Sequence, residues 1–348
     1  MDGINLSKFG KYFYKKYFDE NICEEEKKEL INYKNESIPP LFKYTNLNHI
    51  EDLLCEDLMF LSPISKLNDP NEGVINYNIY DVLYNILLSF HDIYNNFSSL
   101  NKNKHYDIFN KIILNMFFQI NDLDLDSFNY KESNYYNYFY KMGIISHFSN
   151  LTNESIQGLT RDLKEYNYIL AFSISNDNNP LWNHYADEHK GICIEYDIKN
   201  CGIDFIKNNC FPIFYDDSDF SDEITSLNDI KTKFLLKPLL KKESDWKYEQ
   251  EWRIVLNQDL LLSEIDGYYC GYDNRNYIKF LKPKAVFMGK DILESDEEKI
   301  KEICQCRKID LYKMEHKISQ YKLTPKQINL DICPDLPVHQ LMSLNQQH

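Results

Sequence analysis

Between Ala171 and Asp197 the chain reads AFSISNDNNPLWNHYADEHKGICIEYD, and this stretch restricts the fold more than any other. Ala171 to Ser175 is short, apolar and rich in strand-favouring residues, so it reads as a buried strand. Asn176 to Pro180 is a cluster of turn formers. From Leu181 to Asp187 the spacing predicts one turn of helix, with Trp182 and Tyr185 on the same face. Gly191 is placed to stop that turn in the left-handed region. Ile192 to Tyr196 alternates as a second strand. The product is strand, polar corner, aromatic turn, strand, with His184, Asp187 and His189 around the corner. Such corners carry function more often than the strands that hold them.

Elements of both kinds flank this stretch. Residues 4–35 are charged and aromatic at rough helical spacing, through Phe9, Tyr12, Phe13, Tyr17 and Phe18. They predict an N-terminal helical extension, 1–36, closed by a break at Ser37 to Pro40. Leu41 to Thr45 alternates as a strand. Asn46 to Leu58 reads as a helix capped by Asn46, with Ile50, Leu53 and Leu54 on its buried side. Met59 to Leu61 reads as a second short strand, ahead of the polar corner Ser62 to Gly73. From 77 to 166 the chain turns Tyr- and Asn-rich with helical apolar spacing, which predicts a large helical insertion. His105 and His147 stand alone there and read as surface or packing residues.

Farther on, Phe211 to Tyr215 reads as a strand and Asp216 to Asp229 as an acidic loop. Ile230 to Lys242 reads as a helix whose closing lysines suit a C-terminus. Ser244 to Leu256 opens as a turn and runs into a strand. Tyr277 to Met288 supplies one or two more strands, ended by Gly289. Ser295 to Cys304 reads as a helix and Lys308 to His316 as the last strand, before a loosely held tail, 323–348. Strands and helices mix without a regular βαβ repeat. The expected fold class is therefore α+β, one domain over 37–322 with a mostly antiparallel β core that carries the insertion.

Composition excludes some functions. At 348 residues the chain buries roughly 75% of its unfolded surface, so no disulfide or metal staple is required. The formal charge of −15 argues against general nucleic-acid or membrane-surface binding, which needs a basic field. Nine cysteines are scattered with no C-x-x-C pair, which predicts reduced thiols in a cytosol-like compartment. Met1 to Gly10 lacks the apolar core of a leader, and the longest apolar run, around Ile112 to Phe118, is far too short to span a bilayer. A cytoplasmic protein with no membrane contact is expected.

Three clusters carry potential chemistry. Lys43 and Tyr44 on the opening strand place a cation beside an aromatic, a pair that can hold a phosphate and stack a ring. In the central stretch, Ser173 and Ser175 lie two apart and share one face of the predicted strand. Trp182 and Tyr185 can clamp a flat ring, since aromatic pairs gain ~0.5–1.5 kcal/mol beyond area burial. His184 stands beside them as a further binding candidate. The His184, Asp187 and His189 set has spacings of three and two, unlike the i, i+4 pair of a zinc helix, and no metal site is expected. The third cluster is Tyr248-Glu249-Gln250-Glu251-Trp252-Arg253. On a strand Glu249 and Glu251 share a face, and two buried carboxylates are costly unless paired or used. Arg253 continues that face and can neutralise part of the charge.

Leu41 to Thr45, Asn68-Asp69-Pro70, the run Trp182-x-x-Tyr185-Ala186-Asp187-x-His189-x-Gly191 and the run Glu249-x-Glu251-Trp252-Arg253 together resemble domain-of-unknown-function family twenty-nine seventy-one. The likeness covers about 37–75 and 165–320 and implies no established activity. The order of the clusters also resembles ADP-ribosyltransferases of the Arg–Ser–Glu type. In those enzymes a first-strand Arg holds the dinucleotide, an S-x-S strand shapes the nicotinamide pocket and an E-x-E strand carries the catalytic Glu. The matching positions here are Lys43, Ser173 with Ser175, and Glu249 with Glu251. Lys43 departs from that pattern, because a lysine keeps the charge but loses the bidentate fork.

This second resemblance implies an ADP-ribosyltransferase-like fold and NAD as a substrate, with a macromolecular acceptor and a toxin or defence role. Glu251 would bond the ribose hydroxyl and stabilise the oxocarbenium-like state, and Glu249 would orient or deprotonate the acceptor. Trp182 and Tyr185 would stack the nicotinamide, with Lys43 on a phosphate. Two other readings fit the same residues. One is a non-enzymatic module that binds a small ligand or a protein, with structural glutamates. The other is a hydrolase or nuclease holding a divalent metal on Asp69, Glu249 and Glu251.

Overall fold

The computed structural model describes residues 6–19, 21–69, 71–74, 144–217, 236–257, 261, 268–270, 276–317 and 322–330. The chain divides into two compact units: 1–72 with 164–217 and 239–348, and 73–163 with 218–238. Of the predicted insertion, 77–143 lies outside the described residues. The helix α4, Ile144–Tyr166, is its described part. The acidic stretch from 218 also lies outside them. No described helix is long and apolar enough to cross a membrane.

The first unit is mixed α/β with a mostly antiparallel open sheet. Two helices, α1 (Leu6–Tyr17) and α2 (Glu24–Glu36), precede β1 (Leu41–Thr45), α3 (Ile50–Leu54) and β2 (Leu58–Pro63). After α4 come β3 (Asn167–Ser173), α5 (Asn179–His184), β4 (Ile192–Tyr196), α6 (Asp204–Asn208), β5 (Cys210–Pro212) and β6 (Phe214–Tyr215). Then follow β7 (Lys241–Lys242), β8 (Glu251–Asn257), β9 (Tyr268–Cys270), β10 (Asn276–Lys279), β11 (Ala285–Met288), α7 (Glu294–Arg307), β12 (Asp310–Lys317) and β13 (Lys322–Gln327). Among the described residues the main sheet runs β13-β12-β11-β4-β1-β3-β2-β10-β9, with β8 on β3 and β5 on β8. Only β11 and β12 pair in parallel within it. A parallel pair needs a crossover, and α7 supplies one, burying Ile300, Ile303 and Cys304.

The sheet parts at β3. One edge of β3 pairs with β8 along its whole length, from Asn167↔Asn257 to Ser173↔Glu251. The other edge is shared: Tyr168 and Ile169 pair with β2, and Ser173 pairs with Phe42 of β1. Between those contacts β1 and β2 separate. The Lys43 ammonium reaches into the gap and donates to the Ala171 carbonyl at 3.1 Å.

The predicted extension is built into this unit. Phe9 stacks on Trp252 at 6.2 Å, Phe13 meets Phe211 at 6.1 Å and Tyr14 meets Phe214 at 4.7 Å. From α2, the Lys34 ammonium donates to the carbonyls of Lys207, Asn208 and Cys210 at 2.6, 3.1 and 2.8 Å. It thereby closes the end of α6, whose last carbonyls lack partners within the helix. Burial pulls its pKa down to about 7.

The central corner differs from its sequence reading in two ways. Trp182 is fully buried, edge-on to Tyr44 at 5.3 Å and stacked on His189 at 6.0 Å. Its indole N–H donates to the Asn176 carbonyl at 2.8 Å. It is core and cannot clamp a ligand. Gly191 is not the left-handed residue: Asp187, Glu188 and His189 take φ of 46°, 50° and 68° instead. Gly191 is required by close approach, since a Cβ there would lie 2.3 Å from the Thr45 carbonyl oxygen. A Cβ on Gly289 would lie 1.9 Å from that of His189.

Other boundaries shift for local reasons. The helix expected from Asn46 begins only at Ile50, because the Asn46 side chain accepts from the Asn48 N–H at 3.1 Å and holds a turn instead. Lys241 and Lys242, expected to close a helix, form β7 beside β6. The stretch expected to be a loose tail from 323 includes β13, which pairs with β12 through six residues. Pro325 is tolerated because β13 lies at the sheet edge.

Gly289→Ala is expected to destabilise the protein by about 1–3 kcal/mol, as over-packing does. Gly158, inside α4, has no atom within 4 Å of a Cβ, so Gly158→Ala should stabilise by up to ~1 kcal/mol through helix propensity. Urea unfolding of both variants against wild type checks the opposite signs.

Candidate functional site

The gap between β1 and β2 opens a cleft of about 290 Å³. Its apolar lining includes Phe42, Leu67, Phe172 and Leu181. Of the residues expected from sequence, Lys43, Tyr44, Ser173, Tyr185, Glu249, Glu251 and Arg253 all line it. They come from β1, the end of β3, the residue that ends α5, and the start of β8 with the turn before it. The register Ser173↔Glu251 puts the end of one strand beside the start of the other, at the cleft.

The floor is a network of buried charge. The Lys242 ammonium lies 2.7 Å from Glu249 Oε2, 3.3 Å from Glu251 Oε2 and 3.2 Å from Glu72 Oε1. Its charge also faces the Trp246 ring at 4.6 Å. Arg253 grips Glu251 with two N–H groups, Nε to Oε1 at 2.6 Å and Nη2 to Oε2 at 2.9 Å. It donates further to the Leu239 carbonyl at 2.9 Å and to Glu72. All five residues are buried.

Glu249 and Glu251 do converge, but not as alternate residues of one strand. Glu249 ends a 3₁₀ turn, Ser244–Glu249, and Gln250 takes a left-handed conformation with φ 48°. Only Glu251 belongs to β8. The corner at Gln250, rather than strand alternation, swings both carboxylates onto one ammonium.

The two carboxylates differ in character. Burial alone would raise Glu251, but the Arg253 guanidinium and the Lys242 ammonium outweigh it and hold its pKa at about 2. Burial and the neighbouring Glu251 charge raise Glu249, and Lys242 offsets this in part. Glu249 also turns its other oxygen to the mouth, accepting from the Tyr185 hydroxyl at 2.8 Å. That hydroxyl accepts in turn from the Asn68 amide at 2.8 Å. Burial, then the Glu249 charge, raises the Tyr185 pKa and keeps the phenol protonated. Both carboxylates have both oxygens bonded, but Glu251 is held by a guanidinium and an ammonium, whereas Glu249 is held by one ammonium and one partly exposed phenol. Burial lowers the Lys43 pKa and the Glu251 charge opposes this.

Several expected site residues serve elsewhere. Strand β3 ends at Ser173, so Ser175 is not on its face. Ser175 donates its hydroxyl to Asp177 and lies outside the cleft lining. His184 is exposed on α5 and likewise is not part of the lining. Tyr44 reaches the cleft, but its hydroxyl donates to the Ser175 carbonyl at 2.7 Å and its ring packs on Trp182, so it is not free to stack a ligand. Asp69 is buried and accepts from the Asn71 N–H at 2.9 Å. It does not join Glu249 and Glu251, as the metal-hydrolase reading required. Among the described residues no group of His, Cys, Asp or Glu is arranged to hold a metal ion. The Lys242 ammonium stands at the point where the three glutamates meet.

Lys242 and Glu72 were not singled out from the sequence. One signal was present: two carboxylates against one arginine leave a buried charge unbalanced, which requires another cation. Its position was hidden by the helical reading of the lysines.

The model of a family described as Protein of unknown function (DUF2971) matches residues 181–254. This bears out the resemblance to that family over a span holding Tyr185, Lys242, Glu249, Glu251 and Arg253. No curated protein and no solved structure matches the chain.

Removing one partner of a buried ion network leaves uncompensated charge and costs about 3–5 kcal/mol. Glu251→Gln and Lys242→Met should each destabilise on that scale in urea unfolding at pH 7. The acid limb follows from the depressed Glu251 carboxyl. Its stabilisation is complete above the ordinary value of 4.5 and is lost as the pH falls toward about 2. Glu249, being raised, acts in the opposite direction and favours the folded state as it protonates. Thermal melts from pH 6 to 2 (an experimental range of roughly four units) should show a shallower acid decline in Glu251→Gln than in wild type.

Proposed function

We propose that the cleft is a small-molecule site taking the nicotinamide-ribose end of NAD, and that Glu249 is the carboxylate that acts on it. What carries the reading is that Lys43, Ser173, Tyr185, Glu249 and Glu251, from four separate segments, line one cavity. A volume of about 290 Å³ lies near the lower end of the ~300–1,000 Å³ typical of ligand pockets. It suits one heterocycle and one sugar, with the rest of a dinucleotide outside.

The roles differ from those implied by the resemblance. Glu251 is saturated by Arg253 and Lys242, so its part is to fix the floor and hold charge. Glu249 is the less firmly held acid, bonded to one ammonium and to the partly exposed Tyr185 hydroxyl. In the transfer, the bond from ribose C1′ to the nicotinamide nitrogen breaks with both electrons going to nicotinamide. An acceptor nucleophile forms the new bond to C1′, and its proton passes to Glu249. Tyr185 keeps Glu249 aimed and offers its half-exposed ring to the nicotinamide. Trp182 has no part in the clamp.

One observation favours a second reading. The ion network resembles a structural core more than an open acid pair, and a non-enzymatic binding cleft would use Glu249 only to recognise a ligand.

The test incubates the full chain with NAD labelled in the adenosine part, alone and with a cell extract, and measures NAD loss and labelled products. Glu249→Gln should lower both by about 100-fold or more, the range of general acid–base contributions. Tyr185→Phe should weaken turnover several-fold while leaving circular dichroism unchanged. Equal rates in wild type and Glu249→Gln sink the catalytic role. NAD binding without any loss of NAD leaves the binding-cleft reading in its place.

A further inference from the structure

We infer that the ligand carries a phosphate group and that Lys66 is the residue that recognises it. This rests on the small-molecule reading of the cleft and goes beyond it by naming the residue that recognises the ligand's phosphate.

The cleft reverses the charge of the chain around it. The chain as a whole carries −15. The cleft lining holds four cationic side chains, Lys43, Lys66, Lys242 and Arg253, against three carboxylates, Glu72, Glu249 and Glu251. Lys242 and Arg253 are consumed by those carboxylates. That leaves Lys43 and Lys66. They come from opposite borders of the gap, Lys43 from β1 and Lys66 from the 3₁₀ turn Ile64–Lys66 that follows β2.

Their states differ. Lys43 donates to the Ala171 carbonyl, and an ammonium has three N–H groups, so it retains donors for a ligand. Lys66 is exposed, lines the cleft, and its side chain makes no hydrogen bond or ion pair among the described residues. The Ser62 hydroxyl, also in the lining, is likewise without a hydrogen-bond partner among the described residues. An uncommitted lysine on an acidic chain, placed on a cavity wall across from a second lysine, is a site for an anion. Charge-assisted hydrogen bonds from ammonium to phosphate are among the stronger contacts available there.

Lys66 is exposed and unpaired, so its replacement should leave the fold intact. The experiment measures binding to the full chain by calorimetry at low salt, with two matched pairs of probes: nicotinamide mononucleotide against nicotinamide riboside, and adenosine monophosphate against adenosine. Inorganic pyrophosphate is a fifth probe. In wild type the phosphorylated member of at least one pair should bind about 10-fold tighter, a gap that shrinks as salt screens the charge. Lys66→Met should bring the pair within about twofold, and Lys66→Arg should retain the preference.

An undiminished preference in Lys66→Met overturns the assignment, and so does a wild type that binds neither a phosphorylated probe nor pyrophosphate. Pyrophosphate bound in a Lys66-dependent way, with no nucleoside or nucleotide bound, keeps the anion site and removes the nicotinamide-ribose reading. A Glu249→Gln variant that loses turnover but keeps the phosphate preference separates the two sites.

Discussion

The structure depends on one buried ionic network. Arg253 and Lys242 are enclosed with Glu72, Glu249 and Glu251, and the sequence separation across the Arg253–Glu72 contact is 181 residues. Taking such ions out of water costs several kcal/mol each and is offset only where every hydrogen bond is made. Here the Arg253 N–H groups meet two carboxylates and a carbonyl, and the ammonium of Lys242 meets three carboxylates. An arrangement so dependent on complete pairing holds the turn at Glu72, the short β7 and the start of β8 in one geometry. It leaves little freedom for any of them to shift alone.

The network is not neutral, and its imbalance gives the cleft its character. Three carboxylates face two cations, so one negative charge is left over. It does not settle on Glu251, which the guanidinium holds ionised. The strain falls on Glu249, whose carboxyl is raised by burial and by its neighbour, and whose second oxygen accepts from Tyr185. The parting of β1 and β2 across β3 then opens solvent above this acid. Sheet topology and charge balance thus converge on the same place: the gap is where the sheet cannot continue, and Glu249 is the residue the ion pairs do not fully neutralise.

Much of the element order was legible in the sequence. Alternation in Leu41 to Thr45 and Ile192 to Tyr196, and the helical spacing before Ser37, each reflect a local period that the fold preserves. The convergence of Lys43, Ser173 and the E-x-E residues on one cleft was also legible as a cluster order, although for a partly mistaken reason. Strand alternation was invoked for Glu249 and Glu251, whereas the left-handed Gln250 does the work. What was hidden depends on long-range pairing. Lys242 reads as the end of a helix because its spacing does not show that the corner at Gln250 turns Glu249 and Glu251 back onto it, and its third partner, Glu72, lies far earlier in the chain. Residues 322–327 looked like a tail because only β12 makes them a strand. Ser175 is a local exception: Asp177, two residues on, takes its hydroxyl and the strand stops at Ser173.

Trp182 and Tyr185 show how a short spacing rule can mislead about function. Three apart on a helix, they should share a face, and as an aromatic pair they suggested a clamp. The helix stops at His184, and Tyr185 sits at its end with φ −114° and ψ −21°, outside ideal helical geometry. Its ring is free to leave the face that Trp182 occupies. Trp182 therefore packs inward on Tyr44 and His189, while Tyr185 turns to Glu249. Three left-handed residues and the bare Gly191 then bring the chain back into β4. The matched segment 181–254 accordingly holds two kinds of residue. Trp182, Ala186, His189 and Gly191 build the corner, and Tyr185 with Lys242, Glu249, Glu251 and Arg253 faces the cleft. Lys43, Lys66, Glu72 and Ser173 lie before that segment, so the cleft is completed by residues of β1, the turns after β2 and the end of β3.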